Sequence, residues 1–447
     1  MIYSKFIKII RPLSLLLIIL SCRLNFPLIT SIIFIIHSKK IKSIKYKNTK
    51  KKILYFYKSI GYDDLISTYR IKKSLYPIYV IERGMTYKIF RFFIGDRIKK
   101  SSIMDEYTDI KYDSSEILKN KKRFKIFIKK VFVYMKFYWN LNGFITSTIF
   151  PIADLDLALA ATELKLPFIV IHKEGIRSKN ERLIQDWIFK NRINSFKGSY
   201  LIVYNKEEKK SFIENNFVNK DKIIDCGCPR LDNYFKLKRY KPDKFNIVFF
   251  LIQPNYALPF YNNKWFIPNI FKKKMKARNF TWDIITNDYI KHIENFLKTN
   301  KKFNVFIKAK VGYSNNQLKY INRLKKYNIT LIESGNSYNL IKKCKTIVAF
   351  QSSVIFEALA ANRIVVSPVD LVKDKKKRNY LVDLKDCFLP IKKLSQIEEI
   401  LSNNKFFNLK IKNKDKILKK YLGNTKGDSS SKTADAINTH LKDYKYI

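Results

Sequence analysis

The stretch TIVAFQSSVIFEALAANRIVVSPVD, Thr346 to Asp370, holds a strand, a polar turn, a helix and a second strand in twenty-five residues. Thr346 to Phe350 is a β-branched and aromatic run that Gln351-Ser352-Ser353 interrupts. Val354 to Ala361 is Ala-rich and suited to helix, and Asn362 can take the left-handed cap at its end. Ile364 to Val366 then forms a buried strand running into Pro368. Backbone N–H groups at a helix start, with two hydroxyls beside them, offer a phosphate a site. Ser353 and Glu357 stand four apart and share a helix face, so the carboxylate one turn in could accept hydrogen bonds from ribose hydroxyls. The plain alternative is an ordinary N-cap at Ser352 and a solvated Glu357 favoured by the helix dipole.

The pattern Ser352-Ser353 followed by Glu357-Ala358-Leu359-Ala360 resembles the donor-nucleotide site of the GT-B glycosyltransferases. Relatives of that type include bacterial capsule and surface-carbohydrate transferases, CDP-glycerol phosphotransferases and UDP-N-acetylglucosamine 2-epimerases. The resemblance implies an α/β chain of two Rossmann-like domains facing an interdomain cleft. It places the nucleotide diphosphate on Gln351, Ser352 and Ser353 and the ribose on Glu357. The fold type needs no catalytic metal or cofactor, because the nucleotide-activated sugar is a co-substrate and dipoles and basic groups stabilise the leaving phosphate. The resemblance is specific for the fold branch and not for the substrate.

At 447 residues with 46% hydrophobic side chains, the chain can bury two ordinary domain cores. A net charge of +52, from 89 basic and 37 acidic residues, suits nucleic acid, an anionic membrane surface or acidic substrates. Lys, Ile, Asn and Tyr are over-used throughout and Gly is scarce, the pattern an AT-rich genome produces, and no zinc finger, RNA-recognition strand or basic zipper is present. Nucleic acid is therefore not expected as a partner. The five cysteines include no CxxC pair and read as reduced thiols, and four scattered histidines make a zinc site improbable.

Residues 1–52 contain no acidic residue and surround the apolar run Pro12 to Ile36 with basic ones. The run is long enough to span a bilayer of ~30 Å, yet Arg23, Asn25 and Pro27 interrupt its middle. Two short helices lying in the membrane interface fit as well. Three basic residues precede the run and eight follow between Lys39 and Lys52, which by the positive-inside rule leaves the larger part of the chain at the cytoplasmic face. Two further readings stay open, a lipoprotein-type signal ending at Leu20-Ser21-Cys22 and a pair of core helices.

Residues 53–140 alternate strand-like and basic helical pieces without a motif that carries chemistry, and Phe124 to Trp139 suits an amphipathic helix. Residues 141–175 form a βαβ unit ending in His172-Lys173-Glu174-Gly175. Asp154-Leu155-Asp156 opens its helix, where acidic residues are favoured, and is not taken as a metal motif. Ligands of doubly wound sheets bind beyond the carboxyl ends of strands, so His172 and Glu174 are expected to project into the crevice. An inverting transfer needs a base for the acceptor hydroxyl, for which Glu174 is the first choice and His172 the alternative or a phosphate contact. The stretch resembles the "Ile-Pro, strand, His-Lys-Glu-Gly" segment of surface-carbohydrate transferases. Glu174 as a loop residue paired to Lys173 or Arg177 is the competing account.

Gly227-Cys228-Pro229-Arg230-Leu231-Asp232 resembles the crossover that closes the first domain in these families. There Arg230 could reach a phosphate, make a hinge contact or simply pair with Asp232. The second domain opens with the apolar strand Ile247 to Ile252. Lys308 and Lys310, after the strand Asn304 to Ile307, stand where relatives often contact donor phosphates, although a solvated lysine is the default in so basic a chain. The expected division is a membrane-associated segment at 1–52, an acceptor domain at 53–235, a donor domain at 236–420 and a C-terminal helix at 421–447 packing back across the hinge. The expected function is transfer of a sugar from a nucleotide-activated donor to a surface glycan or lipid-linked acceptor at the cytoplasmic membrane face. Its rivals are CDP-glycerol-type polyol phosphotransfer, which calls for a histidine base, and a non-catalytic basic protein on anionic lipid or nucleic acid.

Overall fold

The structure is a computed structural model and describes residues 2–95, 115–148, 152–177, 182–183, 185–186, 189, 195–251, 282–309, 321–333, 335–350, 352–368, 389–391, 396–402 and 414–444. The chain forms two compact units. The first comprises Met1–Gly175, Leu183–Arg230 and Asp428–Ile447, and the second Ile176–Arg182 and Leu231–Gly427.

The first unit begins with helices α1 (Ile2–Arg23) and α2 (Pro27–His37). Its seven strands are β1 (Lys39–Lys40), β2 (Lys52–Tyr57), β3 (Ile78–Glu82), β4 (Leu141–Thr146), β5 (Phe168–Ile171), β6 (Tyr200–Val203) and β7 (Ile223–Asp225). They lie in the order β1-β3-β2-β4-β5-β6-β7, and all neighbours are parallel except the antiparallel pair β1 and β3. Helices α3 (Ser59–Thr68), α4 (Arg83–Ile94), α5 (Ser115–Trp139), α6 (Ile152–Glu163) and α7 (Lys206–Glu214) alternate with the strands. A parallel sheet covered on both faces needs continuous apolar strands, and β5 (FIVI) is buried at all four positions. The sheet reverses direction of growth between β2 and β4, because the chain steps to one side for β3 and to the other for β4.

The apolar N-terminal run folds into this unit as a helical hairpin. Asn25, with φ of 49°, turns the chain between α1 and α2, a left-handed conformation that asparagine tolerates. Ile18 and Cys22 of α1 and Ile33 and Phe34 of α2 join the core that holds Phe56, Phe132 and Phe144. The polar residues within the run pair across the hairpin: Ser21 Oγ lies 2.8 Å from Thr30 Oγ1, and His37 Nε2 2.9 Å from Ser14 Oγ. Among the described residues no helix is long and apolar enough to cross a membrane. The spanning alternative for Pro12 to Ile36 is thereby corrected: the run is two helices, and one face of each is used in protein packing.

The second unit is a six-stranded sheet of β8 (Asp243–Phe250), β9 (Asn304–Lys308), β10 (Ile329–Ile332), β11 (Cys344–Ala349), β12 (Ile364–Pro368) and β13 (Leu389–Ile391). All are parallel, in the order β10-β9-β8-β11-β12-β13, the doubly wound arrangement of a dinucleotide-binding fold. Helix α8 (Trp282–Thr299) leads into β9, and α9 (Val354–Ala360) links β11 to β12. Tyr289, Ile293 and Phe296 of α8 close over Phe249, Val305 and Ile307.

The last helix, α10 (Ser429–Asp443), belongs to the first unit. Ala434, Ile437 and Leu441 enter the core with Ile53, Tyr55, Ile145 and Ile202. His440 stacks on Tyr200 with centroids 4.5 Å apart and lies 2.9 Å from Ser199 Oγ. Burial pushes this imidazole down to about 4.

Candidate functional site

In an open parallel sheet, the strands on either side of the reversal point carry their following loops apart and leave a crevice at the carboxyl edge. In the second unit that point falls between β8 and β11. The turn after β11 is the one marked by Ser352 and Ser353, so the stretch that decides the fold also lands on its expected ligand edge. Buried side chains fix which way α9 faces: Val354, Ile355, Phe356, Ala358, Leu359 and Ala360 are all buried, whereas Ser353 is exposed and Glu357 half-buried. Ser353 has helical φ and ψ (−58°, −19°) and its hydroxyl makes no capping bond. Ser352 Oγ accepts a long contact from the Val354 N–H, 3.4 Å.

Glu357 is not the freely solvated residue of the plain alternative. Ser337 Oγ donates to its Oε2, and that hydroxyl lies 2.9 Å from Tyr234 OH. The Tyr234 and Tyr338 rings meet edge to face at 5.4 Å. The carboxylate is thus held on the surface of α9 beside two hydroxyls and two aromatic rings. Ser337 and Tyr234 were missed in sequence because they come from a helix start and a short helix 20 and 123 residues away, with no local spacing to mark them.

Lys308 ends β9. Cross-strand register places Ala349, Phe250, Lys308 and Ile332 in one row, so Lys308 leaves the sheet two strands from the serine turn, about 10 Å at ordinary strand spacing. It is 7% exposed, its Nζ donates to the Ala309 carbonyl at 2.8 Å, and burial lowers its pKa. That corrects the default of a solvated lysine. Gln351 and Lys310 lie outside the described residues.

In the first unit the reversal point lies between β2 and β4. Gly61 on α3 sits against the loop after β4 so tightly that a Cβ there would fall 1.9 Å from Ser147 Oγ. Tyr55 OH and Ser147 Oγ are 2.6 Å apart. Glu174, three residues past β5, has a side chain 40% exposed, with its Oε1 3.6 Å from Lys173 Nζ. This is the Lys173 pairing that competed with a catalytic role, in a weak, partly solvated form.

His172 departs from expectation. Its side chain is fully buried, its Nε2 is 3.4 Å from Glu208 Oε1 of α7, and Phe212 meets it edge-on at 5.7 Å. Instead of projecting into a crevice it packs between β5 and α7, which corrects its assignment as a base or phosphate contact. Arg230 is also committed within the unit. Its Nη1 donates to Asp64 Oδ2 at 2.8 Å and to Tyr204 OH, and its backbone N–H donates to Asp64 Oδ1 at 3.2 Å. The partner is Asp64 of α3 and not Asp232, and a guanidinium so engaged is a structural tie and not a phosphate contact. Asp154 is likewise absorbed, 2.6 Å from Arg83 Nη2, and burial raises its pKa.

No family model and no curated protein sequence matches the chain. Among solved structures it is similar to the wall teichoic acid polymerase TagF, with 13% identity over 97% of this chain and 98% of that one and a TM-score of 0.49. It is similar to UDP-GlcNAc 2-epimerase of Neisseria meningitidis bound to UDP-GlcNAc, with 13% identity, coverage of 89% and 100%, and a TM-score of 0.46. The corresponding enzyme of Methanocaldococcus jannaschii gives 16% identity, coverage of 89% and 100%, and a TM-score of 0.48. Two doubly wound, almost wholly parallel sheets in one chain, read from its own hydrogen-bonded strand orders, fit the α/β class of two Rossmann-like domains that the resemblance implied.

Proposed function

We propose that this chain is a nucleotide-sugar-dependent glycosyltransferase acting on a surface glycan or lipid-linked acceptor. The observation that carries this reading is the position of Ser352, Ser353 and Glu357 at the reversal point of the second sheet, with Ser353 and Glu357 on the unburied face of α9. In this reading the serine hydroxyls bind the donor pyrophosphate and Glu357, held by Ser337, accepts from the ribose hydroxyls. Glu174 takes the proton from the acceptor hydroxyl. Polyol phosphotransfer through a histidine base is less well supported, because His172 is enclosed.

A thermal-shift screen against UDP, CDP, GDP and CMP compounds tests the donor assignment. One nucleotide is expected to bind saturably. Ser353→Ala and Glu357→Ala are each expected to weaken it about 10- to 100-fold, the worth of one hydrogen bond to a charged group. Affinity that falls steeply with salt and ignores both substitutions would instead mark a basic binding protein.

The same reading sets the enzyme on the cytoplasmic membrane face. Leu13, Leu16, Leu17, Leu20 and Leu24 of α1 recur at helical spacing and are 36–64% exposed, and Ile32 and Ile36 of α2 are 47% and 48% exposed. Exposed Arg11, Arg23, Lys39, Lys40 and Lys42 border that face. An apolar stripe with a basic border suits an anionic bilayer surface, with the hairpin lying in the interface. The full chain is expected to sediment with vesicles containing phosphatidylglycerol, and Leu16→Glu with Leu20→Glu should lower that binding at least tenfold. A change of oligomeric state in the double variant, with wild-type binding to vesicles absent, would assign the stripe to a second copy instead.

A further inference from the structure

Lys58 has no role in the reading above and no motif marks it. It follows β2 directly and precedes α3, so it stands at the reversal point of the first sheet, the place where doubly wound folds bind ligands. Its ammonium is half-buried and forms no hydrogen bond or ion pair among the described residues. The charged groups close enough to act on it are Lys173 and Glu174 past β5, Arg83 of α4 and Asp154 of α6. Arg83 and Asp154 form a buried bidentate bridge at 2.6 and 3.2 Å, and Lys173 lies 3.6 Å from Glu174. Three cations thus face two carboxylates in a partly desolvated corner, an excess of positive charge that costs free energy unless an anion occupies the corner with it.

The corner is also rigid. Gly61 lets α3 approach Ser147, the Tyr55 hydroxyl bridges Ser147 Oγ and the Lys58 carbonyl, and the Lys173 N–H donates to the Ser147 carbonyl at 3.2 Å. The lysines on the two strand ends are therefore tied to one serine loop by three hydrogen bonds. We propose that Lys58 and Lys173 form an anion subsite that selects an acceptor bearing a phosphate or pyrophosphate group next to the hydroxyl that Glu174 activates. This rests on the transferase reading and names the acceptor class for it.

Burial, reinforced by Lys173 and Arg83, lowers the Lys58 pKa to about 8. Anion binding requires the charged form, so the contribution of Lys58 fades as pH rises through that value, whereas an arginine there stays charged.

The experiment titrates the full chain with inorganic pyrophosphate and with dihexanoyl phosphatidic acid, using Lys58→Met, Lys58→Arg, Ser353→Ala and the wild type. Lys58→Met is expected to weaken one or both ligands at least tenfold with an unchanged or raised melting temperature, and Lys58→Arg to restore binding. The ratio of Lys58→Arg to wild-type affinity should rise between pH 7 and 9, a comparison in which titration of the ligand cancels. Ser353→Ala should weaken nucleotide, and any pyrophosphate held at the serine turn, but leave dihexanoyl phosphatidic acid binding intact, so the acceptor and donor assignments fail separately. Loss of only the lipid phosphate would identify a lipid headgroup, and equal losses a phosphate recognised for itself. Wild-type affinity in Lys58→Met, or equal losses in Lys58→Met and Lys58→Arg, would overturn the proposal.

Discussion

Replacing Arg230 by alanine is expected to remove about 3–5 kcal/mol from the stability of the first unit, because it strands the carboxylate of Asp64 in the interior. Asp64 is fully buried and Arg230 is 16% exposed, so solvent screens the pair little. The carboxylate also accepts from Tyr204 OH, and Cys228 Sγ lies 3.8 Å away. The cost comes from the unpaired charge and not from the worth of the bridge itself. The double variant Asp64→Leu with Arg230→Met, which removes both charges, should therefore recover most of the loss. Urea denaturation of the three variants decides the matter. A loss under about 1 kcal/mol for Arg230→Ala would mean that the pair is wet and behaves as a surface bridge.

Phe144→Ala should cost a similar amount, about 3–5 kcal/mol, by a different mechanism. Phe144 is fully buried on β4, stacked on Phe56 at 5.6 Å with 5° between planes, and 4.4 Å from Phe132 and 5.9 Å from Phe168. Residues from β2, β4, β5 and α5 thus meet in one aromatic cluster, and close packing leaves little room to collapse into the hole. Phe144→Leu keeps most of the volume and should cost about 1–1.5 kcal/mol. Equal losses for the two substitutions would show that ring geometry, and not cavity volume, sets the energy. Denaturation midpoints at a constant slope provide the comparison.

The parts of the fold legible in the sequence are those where local chemistry and burial agree. β11 and α9 are visible because a buried parallel strand must be apolar throughout and a short helix on it must be rich in small residues. Ala349, Ala358 and Ala360 all meet that demand. Phe124 to Trp139 is legible for the same reason, its apolar residues recurring on one side of α5. The N-terminal run is ambiguous in sequence because a hairpin that buries one face and exposes the other has nearly the composition of a membrane segment. The burial of Ile18, Cys22, Ile33 and Phe34 in the core and the pairing of Ser14 with His37 and Ser21 with Thr30 separate them.

Long-range charge pairing is what the sequence does not reveal. Arg230 has an acid two residues away and chooses one 166 residues back. Glu357 finds its hydroxyl across 20 residues. His172 looks like a strand-end functional group, yet the side of the strand it occupies is set by α7, which begins more than thirty residues later. Lys58 is hidden by abundance, one lysine among many until its surroundings show that cations outnumber carboxylates around it.

Apart from the short excursion Ile176–Arg182, the chain leaves the first unit after Arg230 and returns to it at Asp428. Pro229 and Ser430 are joined there, the Ser430 hydroxyl donating to the Pro229 carbonyl at 3.2 Å. Exit and re-entry are therefore neighbours, and the second sheet is a cassette spliced into a host. During synthesis the host stays unfinished, with the surface around Tyr200, Ile202 and Cys226 uncovered, until α10 emerges. A genetic excision of the cassette closed by a few glycines should yield a self-standing host, whereas simple truncation before Asp428 should not.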